Sequence, residues 1–217
     1  MFNLYLKQLF SMKGERGNTL QWLAFGILLL LASIMIIKGG YMQAKAHFAQ
    51  YLIERAFIQT LVDNKPHKPW SWADTHPVAK MRFMNPKLKS VENDLYILAG
   101  MSGRTLAFGP GLFLGGAGAG EQGNTIIAGH RDSHFSRLKY LQLGDVIELQ
   151  NTQGNLTQYR VTDLRVVHES QVEEMAKTED SRLTLITCYP FESLSANANL
   201  RYIVEAKAMP AGPKSWI

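Results

Sequence analysis

Thr19 to Ile37 is a run of nineteen residues without a charged side chain. At ~1.5 Å rise per residue, a helix of this length spans about 28 Å, close to the hydrocarbon thickness of a bilayer. The run predicts one transmembrane helix over residues 19–37. Trp22 and Tyr41 fall near its two ends, where amphipathic rings favour the membrane interface. Residues 1–18 carry Lys7, Lys13 and Arg16 against Glu15, and this basic flank predicts a cytoplasmic N-terminal segment. Lys38 and Lys45 follow the span and dilute the bias. Ala44-Lys45-Ala46 has the small-x-small form of a signal-peptide cleavage site. The apolar run exceeds the ~7–15 residues of a signal-peptide core, which favours a retained anchor. On either reading the body of the chain is exported.

Residues 42–64 lack Gly and Pro, and Ala44, Phe48, Leu52, Ala56 and Leu61 recur at helical spacing. They predict a helix, taken as a stalk over 38–64 between membrane and domain. Residues 65–90 shift in composition, with Pro66, Pro69, Pro77 and Pro86 beside Trp70 and Trp72. Proline interrupts helix and strand here, while the tryptophans predict a packed segment leading into a domain over 65–217. Asp74 and His76 are read there as structural.

From Leu95 onward the pattern is short strands separated by turn signals, which predicts an all-β domain. Strands are expected near 95–100, 105–108, 124–128, 146–150, 159–167, 183–188 and 201–207. One helix is expected over 169–178, and Asn151 to Asn155 reads as a hairpin turn. The run Gly109 to Gly120 is glycine-rich but lacks Gly-Lys-Ser/Thr, and a strand follows it where a phosphate loop requires a helix. It reads as a flexible loop.

Composition removes several function classes. One cysteine, Cys188, excludes an intramolecular disulfide and a multi-thiolate zinc site. Residues 1–64 carry six Lys/Arg against three Asp/Glu, and residues 65–217 carry seventeen against fifteen. No clustered basic patch appears, so nucleic-acid binding gains no support.

Cys188 ends an alternating apolar and Thr run. A strand end holds a side chain rigidly and lets it reach solvent, which suits a nucleophile. The bland alternative is a buried cysteine acting as a small hydrophobe. A nucleophilic thiolate needs a base or cation nearby. His130 ends the strand that begins at Asn124, as Cys188 ends its own. If those strands are parallel neighbours, both side chains emerge at one edge. Arg201 opens the last strand, and antiparallel pairing with the Cys188 strand brings it to that edge. Such a trio suits acyl transfer: the cysteine attacks a carbonyl, the histidine manages protons, and the arginine donates to the oxyanion. His130 as a turn residue and Arg201 as a surface charge remain the alternatives.

Ile127-Ala-Gly-His-Arg-Asp, Thr184-Leu-Ile-Thr-Cys and Asn199-Leu-Arg-Tyr-Ile-Val resemble the sortase family in order, spacing and local sequence. Gly144-Asp-Val-Ile-Glu-Leu and Tyr159-Arg-Val look like that family's central strands. The resemblance covers about residues 95–209. Pro69-Trp-Ser-Trp-Ala-Asp-Thr-His-Pro-Val-Ala, after one N-terminal span, looks like the class GN sortases of Gram-negative bacteria. The resemblance implies an all-β fold: a closed eight-stranded barrel with short helices, preceded here by the transmembrane helix and the stalk. It implies a cysteine transpeptidase that cleaves a C-terminal Leu-Pro-x-Thr-Gly-like motif through a thioacyl-enzyme and transfers the client protein to an amine acceptor. On that pattern Cys188 is the nucleophile, His130 the general acid/base, and Arg201 the oxyanion or carbonyl donor. Thr187 lies in the substrate groove, flanked by the Gly-rich loop and residues 169–178. No metal or cofactor is expected. The implied location is the cytoplasmic (inner) membrane, single-pass, with the catalytic domain in the periplasm. Arg131-Asp132 departs from the Arg-Gly of some pilin-polymerising sortases. Asp132 is read as a turn cap, and His134 as peripheral. The rival readings are a cysteine protease that releases its client by hydrolysis, and a non-catalytic module that binds an envelope protein.

Overall fold

The computed structural model describes residues 15–85, 94–193 and 198–210. Most of the N-terminal segment expected over 1–18 lies outside the described residues, as does the end of the chain after residue 210. The chain divides into two compact units, 1–48 and 49–217.

One helix, α1 (Glu15–Asp63), runs through both units. It is long and apolar enough to cross a membrane, and its apolar window is wholly unburied. In the second unit the helix packs against the barrel. Ile53, Ala56, Phe57 and Thr60 are buried there, one face at helical spacing. The Phe57 ring meets Tyr96 at 5.6 Å between centroids, and Gln50 donates to the carbonyl of Phe108 at 2.7 Å. Burying a side chain such as Ile53 or Phe57 contributes ~1.5–3 kcal/mol. The segment after α1 is packed as its tryptophans predict: Trp70 lies 4.8 Å from the Phe108 ring and 5.3 Å from Trp72.

Eight strands follow: β1 (Pro77–Phe83), β2 (Asp94–Ala99), β3 (Gly111–Leu112), β4 (Asn124–Ala128), β5 (Val146–Asn151), β6 (Leu156–His168), β7 (Arg182–Tyr189) and β8 (Leu200–Ala208). They close into a barrel in the order β1-β2-β3-β4-β7-β8-β6-β5. The closed eight-stranded barrel is the architecture expected from the resemblance. Its interior is filled by alternate residues of each strand, among them Met81, Ile97, Ile127, Leu149, Tyr159 and Leu185.

Six of the anticipated strands form close to their expected limits. Two strands were not anticipated. β1 alternates buried and half-buried positions from Pro77 to Phe83, inside the stretch read as proline-interrupted. Proline is tolerated at the first residue of a strand, and β1 closes the barrel by pairing with both β2 and β5. Its outward Arg82 meets Asp94 of β2 through two hydrogen bonds, 2.6 and 2.9 Å. β3 lies inside the Gly-rich run. A side chain at Gly111 would have its Cβ 2.2 Å from the carbonyl oxygen of Gly100, so only glycine lets β3 lie this close.

The strand expected over 105–108 is instead part of a short helix, α2 (Gly103–Leu106). Ser102 caps it, accepting from the Thr105 amide at 3.2 Å, and this cap outweighs the strand preference of Thr105 and Phe108. The helix expected over 169–178 reduces to a 3₁₀ turn, Val172–Met175. The hairpin at 151–155 forms, closed by Asn151 donating to the Asn155 carbonyl at 3.0 Å.

Candidate active site

β4 and β7 are parallel neighbours, paired from Asn124↔Arg182 to Ala128↔Ile186. The register continues past β4: the Gly129 amide donates to the Ile186 carbonyl at 3.1 Å, and the Thr187 hydroxyl donates to the Gly129 carbonyl at 2.8 Å. One residue further along each chain, His130 and Cys188 stand at the same level. β7 and β8 are antiparallel, with Cys188↔Arg201 as direct cross-strand partners. Such partners share a face, with Cβ atoms ~4.5–5.5 Å apart.

The face is set by alternation. Leu183 and Leu185 belong to the barrel core, and Thr187 is buried with them at 2% exposure. Cys188 therefore points to the outer face with Ile186, and it is half-buried with a free thiol. Arg201 shares that outer face, while its neighbour Tyr202 packs against the core. His130 is exposed. The three residues singled out from sequence thus lie at one barrel edge.

The environment of each residue follows from its neighbours. His130 sits on a turn held from inside. Phe135 is fully buried and donates its amide to the His130 carbonyl at 3.0 Å. Arg131 is buried at 8% exposure and donates to the Ser193 carbonyl at 3.0 Å, tying the turn after β4 to the chain after β7. His134, read from sequence as peripheral, is half-buried. Burial holds its imidazole below the ordinary histidine value, with smaller contributions in the same direction from Arg137 and His130.

Arg201 is held by three acceptors. Its guanidinium pairs with the Glu169 carboxylate at 2.7 Å and donates to the carbonyls of Ala198 at 2.6 Å and Leu200 at 3.0 Å. Sequence reasoning missed Glu169. It lies 32 positions from Arg201 in the chain, and only the antiparallel β6–β8 pairing, with His168 opposite Leu200, brings it there. Thr187 was expected in a substrate groove. Its side chain instead faces the interior and is engaged by Gly129.

The loop between β6 and β7 is fastened to the start of β4. Asn124 donates to the Ala176 carbonyl at 3.1 Å and Gln122 to the Glu179 carbonyl at 2.9 Å. Between this loop and the Gly-rich loop lies a cavity of about 240 Å³, lined by Gly115 to Ala117, Gln122 to Asn124 and Met175 to Thr178. It opens near the starts of β4 and β7, away from the Cys188 end of those strands. Among the described residues no group of three or more His, Cys, Asp or Glu side chains gathers as metal ligands would.

A family model for the sortase domain matches residues 86–209, more than half of the chain. The chain belongs to the sortase family. Among curated proteins it is 30% identical over 122 residues to Sortase D of Bacillus subtilis, covering 56% of this chain and 61% of that protein. It is 38% identical over 71 residues to Sortase A of Listeria monocytogenes, covering 31% of this chain and 32% of that protein. The chain therefore spans less than two thirds of either relative. A Clostridium perfringens sortase D5 transpeptidase has the same fold, with a TM-score of 0.59 at 21% identity, covering 76% of this chain and 99% of that one.

Proposed function

We propose that this sortase is a membrane-anchored cysteine transpeptidase acting on proteins with a C-terminal Leu-Pro-x-Thr-Gly-like sorting motif. The observation that carries the reading is the meeting of Cys188, His130 and Arg201 at one barrel edge, through the β4–β7 and β7–β8 registers. A cysteine with a structural role has no use for that company. In the proposed reaction the Cys188 thiolate attacks the threonine carbonyl carbon. The C–N bond to glycine breaks, and the leaving amine takes a proton from the His130 imidazolium. A thioester remains on Cys188. An acceptor amine, deprotonated by His130, attacks the thioester, and the new amide forms as the thiolate leaves. Arg201 donates to the oxyanion in each half, exchanging one of its present contacts, to Glu169 or to a backbone carbonyl, for the substrate. The buried Thr187 acts as a spacer that sets the Gly129–His130 backbone against β7.

The anchor is residues 19–37; of the stalk expected over 38–64, the part from residue 49 packs with the catalytic domain of 65–217. The length and hydropathy of α1 support the anchor, and the basic residues before the span support a periplasmic catalytic domain at the cytoplasmic (inner) membrane. The Pro69–Ala79 segment after a single span supports a place with the class GN sortases of Gram-negative bacteria.

The test is mass spectrometry of the full chain in detergent with a Leu-Pro-x-Thr-Gly peptide, with and without an added amine, beside Cys188→Ala. The expected result is a thioester on Cys188, absent in the variant and converted to an amide by the amine. Hydrolysed peptide with no amide product, whatever amine is supplied, would replace transfer by proteolysis. No adduct from a panel of such motifs on the folded chain would favour a binding module.

A further inference from the structure

We propose that Glu169 is a positioning residue that holds the Arg201 guanidinium in a resting place on the side of β8 away from Cys188. Acyl transfer then requires the guanidinium to leave that place. The consequence for catalysis rests on the transpeptidase reading above; the resting place itself does not.

The placement follows from strand order. β8 lies between β7 and β6. On the outer face Arg201 has Cys188 directly across on one side and Val167 directly across on the other. The β6–β8 register continues past His168↔Leu200, because the Glu169 amide donates to the Asn199 carbonyl at 2.8 Å. Residues two apart on a strand share a face. Glu169, two beyond Val167, is therefore the diagonal neighbour of Arg201, a separation of ~7–8 Å that long side chains bridge. The guanidinium leans that way: its Nη2 meets Oε2 of Glu169 at 2.7 Å. Its Nη1 is turned back along its own chain, to the carbonyls of Ala198 and Leu200. None of these three acceptors is on β7, the strand on which the oxyanion forms.

Of the three acceptors, Glu169 is the one that yields. The two carbonyls belong to backbone next to Arg201 and stay with it. The carboxylate ends a flexible side chain that is 45% exposed, and water takes the place of the guanidinium when the pair parts. An oxyanion at Cys188 offers the guanidinium an equivalent charged acceptor, so the two anions compete for Nη2. An exposed pair holds its partner weakly, so the restraint is a small factor in rate and not a block.

The single cysteine makes the test direct. The full chain in detergent is alkylated with anionic iodoacetate and, separately, with neutral iodoacetamide. The ratio of the two rates reports the potential at Cys188 and cancels the thiolate fraction, which both reagents share. Glu169→Gln is expected to raise the ratio by ~2–5-fold, the range of an exposed ion pair. In an Arg201→Gln background the same substitution is expected to raise it by clearly less, since only the charge of the carboxylate itself is then lost. The difference between backgrounds is expected to shrink with added salt. With a Leu-Pro-x-Thr-Gly peptide, thioester formation is expected to quicken in Glu169→Gln by a similar ~2–5-fold. An equal rise of the ratio in both backgrounds overturns the proposal and makes Glu169 a plain surface charge. Slower thioester formation in a Glu169→Gln chain that melts as the parent does also overturns it, and makes the pair a support for catalysis. If the parent forms no thioester with any such peptide, the transpeptidase reading falls, and the alkylation ratios still decide the resting place.

Discussion

Gly129 stands where no side chain fits. A Cβ there would lie 2.8 Å from Cγ and 2.9 Å from Cδ2 of Phe135, and Phe135 is fully buried beneath the His130 turn. The ring has no free direction, so Gly129→Ala displaces the turn itself. We expect a stability loss of ~1–3 kcal/mol, the usual cost of overpacking. Because His130 is the next residue, we expect thioester formation to fall by ~10²-fold, the scale of a misplacement of about 1 Å. Thermal melting read beside the rate of adduct formation checks this. Equal losses in a buried variant far from the turn would show that stability alone sets the rate. The same residue-scale reasoning applies to Glu169. Its pair with Arg201 is partly exposed, where ion pairs contribute ~0–1 kcal/mol, so the contact orients the guanidinium without locking it.

At the scale of elements, the helix that leads to the barrel is part of the barrel's own packing. Phe57 is 1% exposed and packs on Tyr96 of β2, so Phe57→Ala leaves a cavity. We expect a loss of ~3–5 kcal/mol, against less than ~0.5 kcal/mol for Gln59→Ala on the exposed side of the same helix. Denaturant midpoints of the full chain in detergent compare the two. If α1 were a free stalk the two losses would match. The outer faces of β6, β7 and β8 carry a charge ladder of Arg165 with Asp163 and Glu205, and Arg182 with Glu205 and Asp180. It sits on the outer surface at the end of β7 away from Cys188, and pairs the three strands that position Cys188 and Arg201.

For the molecule as a whole, acid acts first through histidine. His134 is held below its ordinary value by burial, then by Arg137 and His130. His76 is shifted in the same direction by burial and then by Lys68. Each therefore binds a proton more readily in the unfolded chain. Their contribution to stability is present above the unfolded value of ~6.5 and is lost as pH falls through it toward the lower folded value. We expect the urea midpoint to fall between about pH 7 and pH 5, and the slope in that window to shrink in His134→Gln. An unchanged slope in the variant would exclude His134 as its source. Asp63, held below the usual carboxylate range by the Lys65 amide and then by His67, acts in a separate window. Its contribution is present above its unfolded value of ~3.9 and is lost only as pH falls below that.

Local pattern carried much of this protein in its sequence. The charge-free run, the helix after it, and strands such as β4, β7 and β8 are legible because hydrophobic period is a property of neighbours in the chain. So is the placing of His130 at one strand end, Cys188 at another and Arg201 at a strand start. Tertiary structure decided what pairs with what. The β4–β7 and β7–β8 registers set Cys188 beside Arg201 and level with His130. The alternation along β7 turned Cys188 outward and Thr187 into the core, a choice that shifts with a one-residue slip. β1 and β3 exist as strands because the barrel has to close, although prolines and glycines argue against them locally. Glu169 reaches Arg201, and Gln50 of α1 reaches the Phe108 carbonyl, through contacts between residues far apart in sequence. Those contacts leave no periodic signal in either segment alone.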